Sequence, residues 1–171
     1  MQNTAHREYT TMDETTHDFL DGNGSVPAAR HPNGGGWIAD TANVDDTAYV
    51  ARKARVFGEA RVYDKARVFG EARVFDKARV YDKARVFEEA HVFGKASVFE
   101  EARVFGKASV FEEAHVFGKA SVFEEARVYD KARVYEEARV FGEARVFGKA
   151  RISGELHIHG GGLVFSCSRQ K

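Results

Sequence analysis

One cysteine, Cys167, stands in the whole chain, so no intramolecular disulfide can form and no disulfide framework holds the fold. Net charge is missing as well: 26 basic and 26 acidic side chains cancel, leaving no overall field to draw in nucleic acid or an anionic membrane. Only a locally segregated face keeps that capacity. The opening MQNTAHREYTTMDETTHDF has no apolar run long enough for a signal sequence or a membrane span. These absences point to a soluble, cytoplasmic protein with neither a nucleic-acid nor a membrane partner. At 171 residues and 43% hydrophobic content, the chain has room for one domain with a buried core.

Proline is scarce too, and both prolines, Pro27 and Pro32, fall in residues 1–35, a stretch without periodicity and rich in Thr, Asp, Asn and Gly. That mix is typical of loop, and the expectation is a mobile N-terminal arm over 1–35. Phe19 and Leu20 are the arm's two candidates for docking on the structure that follows. HPNGGGWIADTANV makes the transition, with Trp37 and Ile38 as the first inward anchors.

From there alanine occupies every sixth position from Ala42 to Ala150, and valine does the same from Val44 to Val146, continued in phase by Ile152, Ile158 and Val164. So strict an internal repeat decides the fold class before any local propensity. A helix turns about 100° per residue, so side chains six apart rotate by about 240° and never form one stripe. An extended chain fits instead. In A-x-V two small apolar residues alternate with an outward polar one, and the rest of the hexad, F/Y then G/D/E then E/K, supplies corner residues. A strand of about three residues plus a corner is one side of a triangular coil, and three hexads make an 18-residue lap. The expected fold is all-β, a left-handed parallel β-helix over 36–159, followed by a C-terminal tail or cap, GGGLVFSCSRQK, over 160–171.

The charges support an odd number of sides. The last hexad position alternates in sign through Lys83, Glu89, Lys95, Glu101, Lys107 and Glu113, so a three-hexad lap sets Lys83 on Glu101, Glu89 on Lys107 and Lys95 on Glu113. An even number of sides would stack like on like. Lys77 over Lys95 breaks the pattern.

The hexad V-F-G-E-A-R, aliphatic at its first position and small at its fifth, resembles the hexapeptide repeat of the left-handed parallel β-helix superfamily. This is the trimeric LpxA-like group, which includes trimeric UDP-N-acetylglucosamine acyltransferase; the resemblance covers roughly residues 37–164. GGGWIADTANVDDTAYV followed by runs of ARVFG also resembles the uncharacterised bacterial YdcK-like members. One departure stands out: the superfamily prefers a small residue after the aliphatic one, where this chain has Phe or Tyr. The resemblance implies two chemistries, histidine-based acyl transfer and γ-class carbonic anhydrase activity on zinc, with the site at a subunit interface. Such enzymes usually carve their site with a loop inserted between hexads or a helical extension. This repeat runs from 42 to 158 without an insertion and lacks a matching set of three histidines.

Candidate chemistry is sparse. His91 and His115 stand in the outward strand position, 24 residues apart, and so point from different faces. His157 and His159 in GELHIHGGG are expected outward on one strand near Glu155, a weak candidate metal pair. Arginine fills the outward position in Arg61, Arg67, Arg73, Arg79 and Arg85, and with acidic corners alongside, a solvated and paired surface is expected in preference to an anion-binding stripe. Cys167 has no relay partner, neither GGG has the strand and helix context of a phosphate cradle, and no cofactor is called for.

The least ordinary feature is aromatic. Phe57, Tyr63, Phe69, Phe75, Tyr81, Phe87, Phe93, Phe99, Phe105, Phe111, Phe117, Phe123, Tyr129, Tyr135, Phe141 and Phe147 are expected to point outward near the corners in three stacked columns. Sixteen such rings make an apolar surface that a monomer rarely tolerates, so they are the candidate interaction residues for a homo-oligomer, a trimer or a stacked assembly. The reading is a non-catalytic scaffold or self-associating module; an unidentified small ligand on a flat face stays open.

Overall fold

The computed structural model describes residues 16–164. Cys167, most of the expected C-terminal tail and the first fifteen residues of the expected arm lie outside them. Among the described residues the fold is all-β, a parallel β-solenoid. Each hexad contributes a two-residue strand, such as Arg61–Val62, Arg67–Val68 and Arg73–Val74, and the strands form three sheets of ten, seven and seven. Residues eighteen apart are direct partners, Arg61 with Arg79 and Val62 with Val80, so one lap is three hexads. Arg67 pairs likewise with Arg85, and Arg55 with Arg73.

Strands this short hold because each backbone donor reaches the next lap. Arg61 N–H donates to Ala78 O at 2.8 Å, Phe75 N–H to Val92 O at 3.0 Å and Lys77 N–H to Gly94 O at 2.8 Å. Ala78 N–H closes the corner on Phe75 O at 3.3 Å. The shaft is narrow, which is why alanine and valine line almost all of it; the valines from Val44 to Val146 are fully buried, as is every sixth-position alanine from Ala48 to Ala150. Burying one such valine contributes about 1.5 kcal/mol or more.

The corners demand a left-handed backbone. Asp64, Asp76, Asp82, Glu88, Glu100, Glu112, Glu124, Asp130 and Glu136 all sit at φ between 57° and 60°, where a non-glycine residue costs about 1–2 kcal/mol. Several of these acids offset part of that cost by accepting a hydrogen bond from the backbone one lap on. Asp76 takes the N–H of Gly94 at 3.2 Å, Glu88 that of Gly106 at 2.8 Å, and Glu112 that of Asp130 at 2.9 Å.

The start of the shaft is covered. Strands β1 (Thr16–Asp18) and β2 (Ser25–Arg30) form an antiparallel pair, and β2 adds antiparallel to β3 (Trp37–Ala39), the first strand of the ten-stranded sheet. Composition had pointed to loop here. The strands form because the unpaired edge of β3 supplies backbone partners and Phe19, 1% exposed, supplies an anchor. Leu20, the other docking candidate, stays 67% exposed at φ 59°. The segment 31–36 then crosses the rest of the opening. A ring nitrogen of buried His31 meets Asp45 O at 3.1 Å, Asn33 Nδ2 donates to Ala48 O at 2.8 Å, and Gly36 N–H donates to Val50 O at 2.9 Å.

At the other end the repeat geometry runs on to Val164, since Leu163–Val164 pairs with Arg145–Val146. Bulkier Ile152, Leu156 and Ile158 stand in valine and alanine positions there. Leu156, Ile158 and Val164 are partly buried and Leu163 is 63% exposed. Among the described residues no strand covers this last lap.

Candidate functional site

Three kinds of column run along the prism: aromatic rings, paired corner charges and outward arginines. The aromatic residue follows each valine, and the lap length places it on its counterpart above and below. Phe57, Phe75, Phe93, Phe111, Tyr129 and Phe147 form one column, with centroids 4.9–5.2 Å apart and planes within 7°. Tyr63, Tyr81, Phe99, Phe117 and Tyr135 form the second. Phe69, Phe87, Phe105, Phe123 and Phe141 form the third. Each ring covers its neighbours' faces and keeps mainly an edge for solvent. The candidate interaction residues are therefore half-buried, Phe57 fully so, and among the described residues the large apolar side chains left exposed are Leu20 and Leu163.

The columns also absorb the histidines. His159 lies eighteen residues after Phe141 and stacks on it at 5.4 Å and 25°, so it continues the third column, while His157 meets the same ring edge-on at 6.3 Å. His91 and His115, on adjacent faces, each meet a ring edge-on, Phe75 at 6.4 Å and Phe99 at 6.5 Å. Burial, followed by the charges of Arg73 and Arg133 respectively, pushes both imidazoles below the usual histidine range. Among the described residues no three His, Cys, Asp or Glu side chains converge as a metal site.

The corner charges pair across laps. Lys83 meets Glu101 at 3.6 Å and Lys95 meets Glu113 at 3.9 Å, as the sign alternation predicts, though Glu89 and Lys107 form no such pair. The stacked Lys77 and Lys95 resolve their conflict by turning apart: Lys77 pairs with Glu59 at 3.6 Å in the preceding lap, Lys95 with Glu113 in the following one. All these side chains are well exposed, so each pair contributes at most about 1 kcal/mol.

The arginines contradict the expected paired surface. Among the described residues all six ion pairs use lysine, and no arginine is paired with a carboxylate. Many corner carboxylates are otherwise engaged, Asp76, Asp82, Glu88, Glu112, Asp130 and Glu136 by backbone N–H groups of the next lap and Glu59, Glu71, Glu101, Glu113 and Glu137 by lysine. Several guanidiniums instead lie over rings. Arg67 sits 5.4 Å from the Tyr49 centroid and 5.8 Å from that of Phe69, and Arg73 sits 5.2 Å from Phe57. Sequence reasoning missed this because it counted neighbouring charges without asking what else the corner acids must satisfy.

A shallow hollow lies at the corner lined by Glu112, Glu113, Asp130, Lys131, Gly148 and Lys149. Its acids are committed: Glu113 faces both Lys95 and Lys131, and Asp130 accepts from Gly148 N–H at 2.8 Å. The Asp130 side chain, hydrogen-bonded to Glu112, raises that carboxyl above its ordinary range. Among the described residues no helix is long and apolar enough to cross a membrane. No protein family, curated protein or solved structure matches the chain.

Proposed function

We propose that the protein is a non-catalytic scaffold of the hexapeptide-repeat kind that self-associates end to end, with a second copy seated on its last lap. One observation carries the reading: the shaft is closed at one end and, among the described residues, open at the other. At the start, β2, His31, Asn33 and Gly36 occupy the backbone groups of the first lap. At the far end Leu163 is exposed beside partly buried Leu156, Ile158 and Val164, next to strand edges that favour pairing. The covered start disfavours head-to-tail growth, so the association closes at a tail-to-tail pair.

Side-by-side trimers fit less well. Each face carries outward arginines without carboxylate partners, and burying them would cost more than the half-covered ring edges return. On this reading the aromatic columns serve the coil itself, fixing its register. The cytoplasm is the proposed compartment, following from the single cysteine. Small-angle scattering tests the arrangement. An end-on pair roughly doubles the maximum dimension relative to a Leu163→Asp variant; a pair whose maximum dimension matches the monomer's overturns it.

A further inference from the structure

We infer that the arginine columns form a binding strip for a narrow, linear chain of phosphate groups, centred on the face that carries Arg67, Arg85 and Arg103. Among the described residues twelve of the two-residue strands present an outward arginine, and the lap length sets many of them in direct register. Arg67 pairs with Arg85 and Arg85 with Arg103, while Arg61 pairs with Arg79 and Arg133 with Arg151. Adjacent strands lie about 4.8 Å apart, so like charges stand one above another at a spacing that destabilises a sheet. Lys53, Lys77, Lys83, Lys95, Lys119 and Lys131 relieve this by pairing with glutamates; among the described residues no arginine does.

What relieves such a column is an anion placed between its members. Two guanidiniums one lap apart can both donate to a single tetrahedral oxyanion, and a polymer of such groups runs along the strip bridging each pair in turn. Part of the cost of ordering the strip is already met, because Arg67 rests against Tyr49 and Phe69.

The surroundings narrow the ligand. Single-stranded nucleic acid is held by bases stacking on aromatic faces, and here those faces are occupied by neighbouring rings at 4.8–4.9 Å. Corner acids flank the strip, Asp82 and Glu100 before Arg85 and Arg103, and Glu88 after Arg85. A wide polyanion such as a duplex or a sulfated polysaccharide would overlap them, whereas a bare phosphate chain fits between. The strip is independent of the end-on pairing proposed above.

Inorganic polyphosphate of defined length is the probe, titrated calorimetrically into the full chain at low salt, with the Arg67→Gln/Arg85→Gln/Arg103→Gln variant and a corner control, Lys65→Gln/Lys95→Gln/Lys107→Gln. Saturable binding is expected, at least tenfold weaker in the arginine variant and nearly unchanged in the control. The slope of log affinity against log salt should become shallower by about 2, roughly 0.7 for each lost contact. Without ligand, the arginine variant should melt close to the parent, since relief of the repulsion offsets the ring contacts that Arg67 gives up; a large drop would overturn the claim that the column is strained. The proposal also fails if polyphosphate does not bind, if both variants weaken binding equally, or if heparin or oligo-dT displaces polyphosphate at equal phosphate or sulfate concentration.

Discussion

The ring of Phe19 lies 4.9 Å from that of Phe57, in the place where a preceding lap would have set its own aromatic residue but the chain has Ala39. His17 and Trp37 stack alongside at 4.3 Å, and Arg30 covers Trp37 at 4.0 Å. The N-terminal hairpin thus completes a column and an edge together. Phe19→Ala should remove about 3–5 kcal/mol from that packing. Because each lap contacts only its neighbours, the loss should stay local. Hydrogen exchange should quicken over 16–50 and remain unchanged beyond residue 90; uniform acceleration would show that the cap governs the whole shaft.

Core and corner should differ sharply in what they contribute. Val98→Thr keeps the shape of a fully buried side chain but adds a hydroxyl with no evident partner, and should cost about 1–3 kcal/mol. Lys83→Ala breaks a solvated pair with Glu101 and should cost less than about 1 kcal/mol. Urea titration of both variants checks the ranking.

Gly106 holds φ 69°, and an added Cβ would lie 2.7 Å from the backbone nitrogen of Glu124. Gly106→Ala should therefore destabilise by about 1–3 kcal/mol, through the left-handed backbone and the clash. A melting temperature equal to the parent's would mean that the corner relaxes freely.

Acid should weaken the fold through His91 and His115. Burial first, and nearby arginines second, lower both imidazoles below the usual histidine range, so the folded state resists protons that the unfolded chain accepts. Their contribution is complete above about pH 6.5 and is lost as pH falls below it towards the folded values. A His91→Gln/His115→Gln variant should flatten the dependence of melting temperature on pH between 6.5 and 5.5. An unchanged slope would remove these two residues from the account.

Much of this was readable in the hexad. Ala and Val at fixed phase gave the shaft, and the alternating signs of Lys83, Glu101, Lys95 and Glu113 gave the number of sides, because an eighteen-residue register makes them neighbours. Features that answer to two demands at once were harder to see. Corner acids satisfy backbone N–H groups as well as cations: Asp82 and Glu88, on either side of Arg85, both accept from the next lap, so Arg85 lacks the partners that simple charge counting assigned it. His159 looked like a strand partner of His157, although its distance of eighteen from Phe141 already placed it in a ring column. Phe19 was one apolar residue in a polar arm, and its value depends on the vacancy at Ala39.

Sedimentation equilibrium between 1 and about 50 μM tests the proposed self-association most directly. A mass rising from that of the 19.1 kDa chain towards twice that value, with Leu163→Asp held at the monomer, is the predicted result. A strict monomer throughout, or a trimer indifferent to Leu163→Asp, would contradict it.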